Sequence, residues 1–581
     1  MQYTSLGAID HQRSFRMSRT RPALAFILLL TLGIGEPGLP AAAAPAGSPS
    51  RQGTYEQLVE LFEVLRDLQE VHVVDWVPDY RPDAMRHQYN GVLGLAERLS
   101  AFDVAAWPLE HQVDYQLVRA EINGLIFYQR VLKPWARDPG FYLQTQDGGG
   151  PARAAHLNID QMPIPAADLD EVRGQLRALP TILEQAQSNL TEGAADLAYS
   201  ALHYMPVEIA YHEMLRDALA EHHPDLRADA ETAVQAVRAY GEWLEANEHR
   251  MTAPAGVGKD NYTWWMKNVQ LVPHTWDELY EIIMREDDRV LSTLALMRNR
   301  NKGLPELVAV ATQEEHASRR REGLLSAMSF MEDNDLFEVP EWADSESYLA
   351  GADGRGESWG AYFTNRYVGS GETGEWPGVR DFFHQTADRE PMPEQTHEFI
   401  GHYFDRQRQA RDTSPIRGTR RFYAIDMIRL EGWAFWLEEM MMHAGYLDDR
   451  PTRAQEVPFW QAAFRTCRAI ADLKMHSNEY TLQEAIDYAV DCAPNGWLIA
   501  DGPHAWYEMQ TNLRYVGWHM GMVVGKLTVN ELIAERVRQQ GTDFNFREFF
   551  RDFFAAGIMP LSLIRWQMTG LDDEMQKLLD S

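Results

Sequence analysis

The chain has 581 residues, 45% of them hydrophobic, 11% aromatic and 24% charged, a composition that buries a sizeable core and excludes a disordered tail or a coiled coil. Asp and Glu number 86 against 54 Lys and Arg, for a net charge of −32. Such a field repels nucleic-acid phosphates and anionic headgroups, which argues against both as partners.

The first 46 residues read as an address. Arg16, Arg19 and Arg21 precede the apolar run Ala23 to Gly35, and a helix-breaking Gly/Pro stretch leads to Ala41-Ala42-Ala43-Ala44-Pro45-Ala46. A basic region, a short apolar run and a small-residue ending make a secretory signal, cleaved near Ala46. The run is shorter than the roughly 20 residues that span a bilayer, so no stable membrane insertion is expected once it is removed. No Cys follows it, which argues against lipid anchoring. The expected location is periplasmic or secreted. Cys467 and Cys492 can make one bridge at most; their spacing permits pairing, and two buried free thiols fit equally well, because sequence does not fix Cα separation.

After a Gly/Pro/Ser linker (47–53), helical periodicity begins with Leu58, Leu61, Phe62, Leu65 and Leu68 and is repeated over most of the chain. Thr275 with Glu278 and Thr481 with Glu484 have the form of capping boxes. Strand alternation is scarce, so the fold class is mostly α. Breaks at Asp147 to Pro151 and at Thr252 to Asp260 set apart an N-terminal helical region, 54–255, from a second helical region, 256–581, with a cleft expected between them. Trp359 to Asn365 looks like a short extended stretch just before the chemistry.

That chemistry is carried by His397-Glu398-Phe399-Ile400-Gly401-His402. It nearly reproduces H-E-x-x-H, in which two His one helical turn apart bind zinc and the Glu between them activates water. The spacing here is five. At about 100° per residue, positions five apart on a regular helix diverge by about 140°, so both rings reach one ion only if the backbone widens into a π-type turn near Ile400 and Gly401. Glu431-Gly432-Trp433-Ala434 offers Glu-x-x-Ala on a later helix, with Glu431 as third metal ligand and one position left for water. Glu438, seven residues on and on the same face, either orients a ligand His or is a solvated acid.

These stretches resemble the domain-of-unknown-function 885 family, related to helical zinc peptidases of the gluzincin type. The resemblance runs through Asp114-Tyr115-Gln116-Leu117, Pro139 to Tyr142, Tyr240 to Leu244, Val257 to Tyr262, Tyr362 to Asn365, Glu431 to Ala434, His476 and Phe546 to Pro560. The family's H-E-x-x-P-G-H-H maps onto His397, Glu398, Gly401 and His402, without the Pro and with Tyr403 for the last His. Its P-G-Q-A-x-x-Y corresponds to Val516 through Met522, so the Gln and the Tyr are lost. The resemblance implies a neurolysin-type helical architecture, one zinc ion per chain and a peptide substrate.

The expected reaction is peptide-bond hydrolysis, with His397, His402 and Glu431 on zinc and Glu398 as general base. His476 could hydrogen-bond a substrate carbonyl or be a satisfied structural His. Arg514, Tyr515 and His519 could supply an electrophile, or Tyr515 and Trp518 could be core aromatics. The shortened motif and Met522 support the competing expectation, a catalytically silent member that binds peptide or metal.

Overall fold

A computed structural model of the chain describes residues 53–143, 162–349 and 382–579. The signal segment, the linker through residue 52, the 147–151 break and the Trp359–Asn365 stretch lie outside them. Among the described residues the protein is mostly α. In chain order the helices are α1 Tyr55–Gln69, α2 Pro82–Ser100, α3 Leu109–Phe127, α4 Pro134–Arg137, α5 Leu169–Asn189, α6 Ala195–His222, α7 Arg227–Asn247 and α8 Lys259–Asn268. They continue with α9 Trp276–Arg300, α10 Gln313–Asp333, α11 Ser345–Leu349, α12 Phe382–Ala387, α13 Met392–Gln395, α14 Phe404–Gln409 and α15 Met427–His443. Last come α16 Val457–His476, α17 Leu482–Cys492, α18 Pro503–Arg514, α19 Trp518–Gln540, α20 Phe546–Ala555, α21 Leu561–Thr569 and α22 Asp573–Leu579. The described strands are β1 Val73–Val74 and β2 Val77–Pro78, an antiparallel pair.

The capping boxes form as expected. The Thr275 and Thr481 hydroxyls accept from the backbone N–H groups of Glu278 and Glu484, whose carboxylates accept from the Thr N–H groups in return. A third box, Thr54 with Gln57, starts α1.

Two hydrophobic cores are present, and they do not divide at residue 255. The smaller is built from Trp135 to Leu143 and from α5, α6 and α7, with Leu179, Tyr211 and Leu244 at its centre. The larger holds most of the buried apolar side chains from Ala255 onward together with Leu58, Phe62 and Leu65 of α1 and Leu117 and Phe127 of α3. While α2 gives Met85 to the smaller core and Val92, Leu95 and Leu99 to the larger, α1 and α3 precede the smaller core in sequence but are buried with the larger one. An ion-pair cluster fixes them there. Arg66 of α1 grips fully buried Glu121 of α3 through both guanidinium nitrogens at 2.7 Å, and Arg421, from the loop before α15, reaches the same carboxylate at 3.1 Å.

Within the larger core, α15 packs most intimately on α19. Gly432 and Gly525 are where the two backbones cross: a Cβ on Gly432 would lie 2.3 Å from Gly525 Cα, and one on Gly525 would lie 2.1 Å from the Ile428 carbonyl oxygen. Trp433, next along α15, is fully buried against Phe550, Phe553 and Phe554 of α20. Lys526 of α19 donates to Glu286 of α9 at 2.8 Å and pairs with Glu439 of α15, while Arg289 bridges the same two carboxylates. Cys467 of α16 and Cys492 of α17 are bridged, with Cα atoms 6.2 Å apart, within the range a disulfide requires.

Because a methyl group at position 525 has only backbone to displace, Gly525→Ala is expected to lower stability by about 1–3 kcal/mol, the usual cost of overpacking. Denaturant unfolding of the variant beside the parent checks this. A midpoint equal to the parent's would show that the crossing is looser than described.

Candidate metal centre

The site is assembled from three consecutive layers of the larger core: the segment between α13 and α14, then α15, then α16. Thr396–Tyr403 is a π-helical turn in which the Phe404 N–H donates to the Phe399 carbonyl, five residues back. This is the widening that the five-residue His spacing demands. A Cβ on Gly401 would lie 2.6 Å from the Ala434 Cβ, so the small residues of the two motifs, Gly401 and Ala434, let the π turn sit directly on α15. Arg429 of α15 pairs with Asp405 just after the π turn, both fully buried, and ties the other flank of the same contact.

The result is convergence. His402 Nε2 lies 3.0 Å from His397 Nε2, and Glu431 Oε2 lies 3.4 Å from the first motif's His397 Nε2 and 3.8 Å from His402 Nε2. The three side chains are the group of metal-binding type found among the described residues. Tetrahedral bonds of about 2.0–2.1 Å place donor atoms about 3.3–3.4 Å apart, which is the mean of the three observed separations. Glu431 is fully buried and neither of its oxygens has a hydrogen-bond partner among the described residues. A proton on His397, whose Nε2 is 3.4 Å away, offsets the cost of burying that charge, and a cation at the point of convergence would take the proton's place. Donor type, spacing and the orphaned carboxylate all fit a zinc ion.

Glu438 is fully buried and contacts His397, so it is not a solvated acid. Its Oε1 lies 2.9 Å from His397 Nδ1, so the ring donates from Nδ1 and turns Nε2 toward Glu431 and His402. Burial and Arg465 oppose a proton on His397, but Glu431 and Glu438 outweigh them and its pKa is pushed up to about 9. An arriving metal therefore displaces a proton held by two carboxylates.

Two residues that the sequence reading missed complete the surroundings. Arg465 of α16 pairs with Glu438 and reaches His397 Nδ1 at 3.2 Å. Arg468, one turn on, pairs with Glu508 of α18, and the Met522 sulfur lies 3.7 Å from Arg465 and 3.9 Å from Arg468. The signal is a polar stripe at Arg465, Arg468, Asp472 and His476, spaced three and four along a helix whose other positions are mostly apolar.

The remaining candidates have partners elsewhere. His519 Nε2 lies 2.8 Å from Glu508 and Nδ1 lies 2.6 Å from the Asn512 side-chain oxygen; burial, reinforced by Arg468, pushes its pKa down to about 4, so the neutral ring donates to one of the two. His476 Nε2 lies 2.8 Å from the Asn512 main-chain oxygen, and burial pushes it down to about 4 as well, so it pins the end of α16 to α18. Tyr515 is half-buried with its ring 5.0 Å from Trp518, as a packing aromatic would be. Arg514 holds Asp138 through Nε at 2.7 Å and Nη2 at 3.0 Å, joining α18 to the smaller core.

Residues 70–568 match the family described as bacterial protein of unknown function (DUF885). The chain belongs to that family. Two solved structures resemble this DUF885 chain in fold. One is described as a "putative lipoprotein of unknown function" from Shewanella oneidensis, with 16% identity, a TM-score of 0.66, and coverage of 89% of this chain and 100% of its own. The other is a "putative lipoprotein" from Colwellia psychrerythraea, with 15% identity, a TM-score of 0.64, and coverage of 90% of this chain and 99% of its own. At these identities the likeness is one of fold. No curated protein matches the chain. Among the described residues no helix is long and apolar enough to cross a membrane.

His397→Ala and Glu431→Ala are each expected to strip purified DUF885 protein of its divalent metal, whereas Glu438→Gln, which leaves the three donors in place, should weaken affinity by about 10–100-fold. Metal content by mass spectrometry and competition with a chelating dye read both effects. Undiminished metal in the two alanine variants would rule out the donor set.

Proposed function

We propose that the chain is an exported zinc-dependent peptidase. The observation that carries this reading is the convergence of His397, His402 and Glu431, with the Glu398 carboxylate next in sequence to a donor and only partly buried. Zinc in such a site polarises a carbonyl and lowers the pKa of water to about 7.

The chain's own residues supply the rest. Glu398 is not one of the three converging donors, and its partial exposure leaves its carboxylate able to take a proton from water and return it to the departing amine. Glu438 and Arg465 fix the His397 ring, so that the donors are set before substrate arrives and no reorganisation is needed during the reaction. Thr396, whose hydroxyl donates to the Met392 carbonyl at 2.9 Å, anchors the start of the π turn. The signal-like N-terminus and the absence of a membrane-crossing helix among the described residues support a periplasmic or secreted location.

A second reading is favoured by one observation. His519 and the two arginines beside Met522 are paired within the protein, which leaves no described side chain unengaged as an electrophile there. On that reading the chain holds metal or peptide without turnover.

Glu398→Gln decides between them. In a peptidase the variant keeps its metal and its fold while kcat falls by at least about a hundredfold, the scale of general-base catalysis. Cleavage of a mixed peptide library followed by mass spectrometry is the readout. Parent protein that carries its metal yet leaves every peptide intact would establish the silent reading, and equal rates for parent and variant would remove Glu398 from the mechanism.

A further inference from the structure

A cavity of about 400 Å³ opens where the start of α1 and the start of α3 meet the end of α20. It is lined by Tyr55, Glu110, His111, Arg408, Asp412 and Phe554, with Asp114 and Arg417 in its wall. Two of the sequence stretches that the metal chemistry leaves unused meet here: Asp114 opens the Asp114–Leu117 stretch, and Phe554 belongs to the Phe546–Pro560 stretch.

The charged groups of the lining divide into spent and unspent. Asp114 is spent, accepting from the Tyr55 hydroxyl at 2.7 Å and from Arg417 Nε at 2.6 Å. Arg417 is spent too, donating further to the carbonyls of Ala556 and Glu110 and to Gln567. Arg408 is not. It donates to Asp405 at 3.2 Å, but that carboxylate is already paired with fully buried Arg429. The row Arg429, Asp405, Arg408 therefore presents one uncompensated positive charge to the cavity, and burial pushes the Arg408 guanidinium down to about 10 despite Asp405. An anion there would restore the balance.

Asp412 lies one helical turn beyond Arg408 on the same wall. Ser414 engages its Oδ1 through both backbone and hydroxyl, while Oδ2 points toward Gly557, where a Cβ would lie 4.0 Å away. Arg408 and Asp412 make no ion pair with each other. The rest of the lining is aromatic: Phe554 lies under the Arg408 guanidinium at 3.6 Å, and the Tyr55 and His111 rings stack at 3.8 Å.

We infer that this cavity binds a free α-amino acid with an apolar side chain, its carboxylate on Arg408, its ammonium between Asp412 and Glu110, and its side chain against Phe554 and Tyr55. A zwitterion satisfies at once two opposite charges that line one cavity without meeting. The volume lies at the lower end of small-molecule sites, which run from about 300 to 1,000 Å³. The inference stands apart from the metal reaction and survives its failure.

Isothermal titration of the mature chain with L-leucine and L-phenylalanine tests it, beside N-acetyl-L-leucine and L-leucinamide, each lacking one of the two charges. Saturable binding of at least one amino acid is expected. Each blocked form, and each of the variants Arg408→Gln and Asp412→Asn, should bind that amino acid's site at least about tenfold more weakly, the loss of one charge-assisted contact. If Arg408→Gln proves unfolded by circular dichroism, Asp412→Asn, whose side chain is partly exposed, carries the test with Glu110→Gln. No saturable binding of either amino acid overturns the inference. So does undiminished affinity in Asp412→Asn, which places the ligand elsewhere, or equal affinity for the blocked forms, which removes the zwitterion.

Discussion

The candidate metal centre depends on one steric constraint: two imidazoles five residues apart must face one point. The π turn satisfies it locally, but a widened turn has weaker internal support than a regular helix, and its stability comes from what it presses against. Here that is α15, approached so closely that Gly401 and Ala434 have no room for larger side chains. The same contact delivers Glu431, three residues before Ala434, to the His pair. Local distortion and long-range packing are thus one requirement, and the Arg429–Asp405 pair at its edge keeps the two segments from sliding past one another.

Charge is arranged around this contact in alternating layers. The donors are backed by Glu438, Glu438 by Arg465, and beyond Met522 the pattern is repeated with Arg468, Glu508 and His519. Each buried charge faces an opposite one, the condition under which burial of ions is tolerable. At the donors themselves Glu431 faces the His397 ring at 3.4 Å, the ring that Glu438 backs from its other side. Farther along α15, the Lys526–Glu286–Glu439–Arg289 cluster closes a second, self-contained set.

Much of this was legible in the sequence, and the limits have physical causes. His397 and His402 are legible from their likeness to H-E-x-x-H and Glu431 from Glu-x-x-Ala, and the π turn follows from the five-residue spacing, because helical periodicity converts sequence distance into direction. Glu438 was readable as a position on the same face, but only the structure decides between its two roles, since that depends on which segment covers the face. Arg465 and Arg468 were passed over because a buried arginine is recognisable only by its partners, and Glu438 and Glu508 come from other helices. The core to which a helix belongs is hidden for a related reason: the stripe Leu58, Leu61, Phe62 and Leu65 announces a buried face without saying which core buries it. Cys467 and Cys492 were left open on the same ground, and their separation of 6.2 Å is a tertiary quantity.

The crossing of Gly432 and Gly525 has a consequence for how this site could change. Because α15 and α19 meet there backbone to backbone, the height of Glu431 above the His pair is set by main-chain atoms and not by the choice of side chains around it. Position 431 is in effect a fixed mounting. A different donor placed on it, by drift or by engineering, would meet the same two imidazoles from the same direction, so the ion preference of such a site would be open to revision by a single substitution while the scaffold that presents it is not.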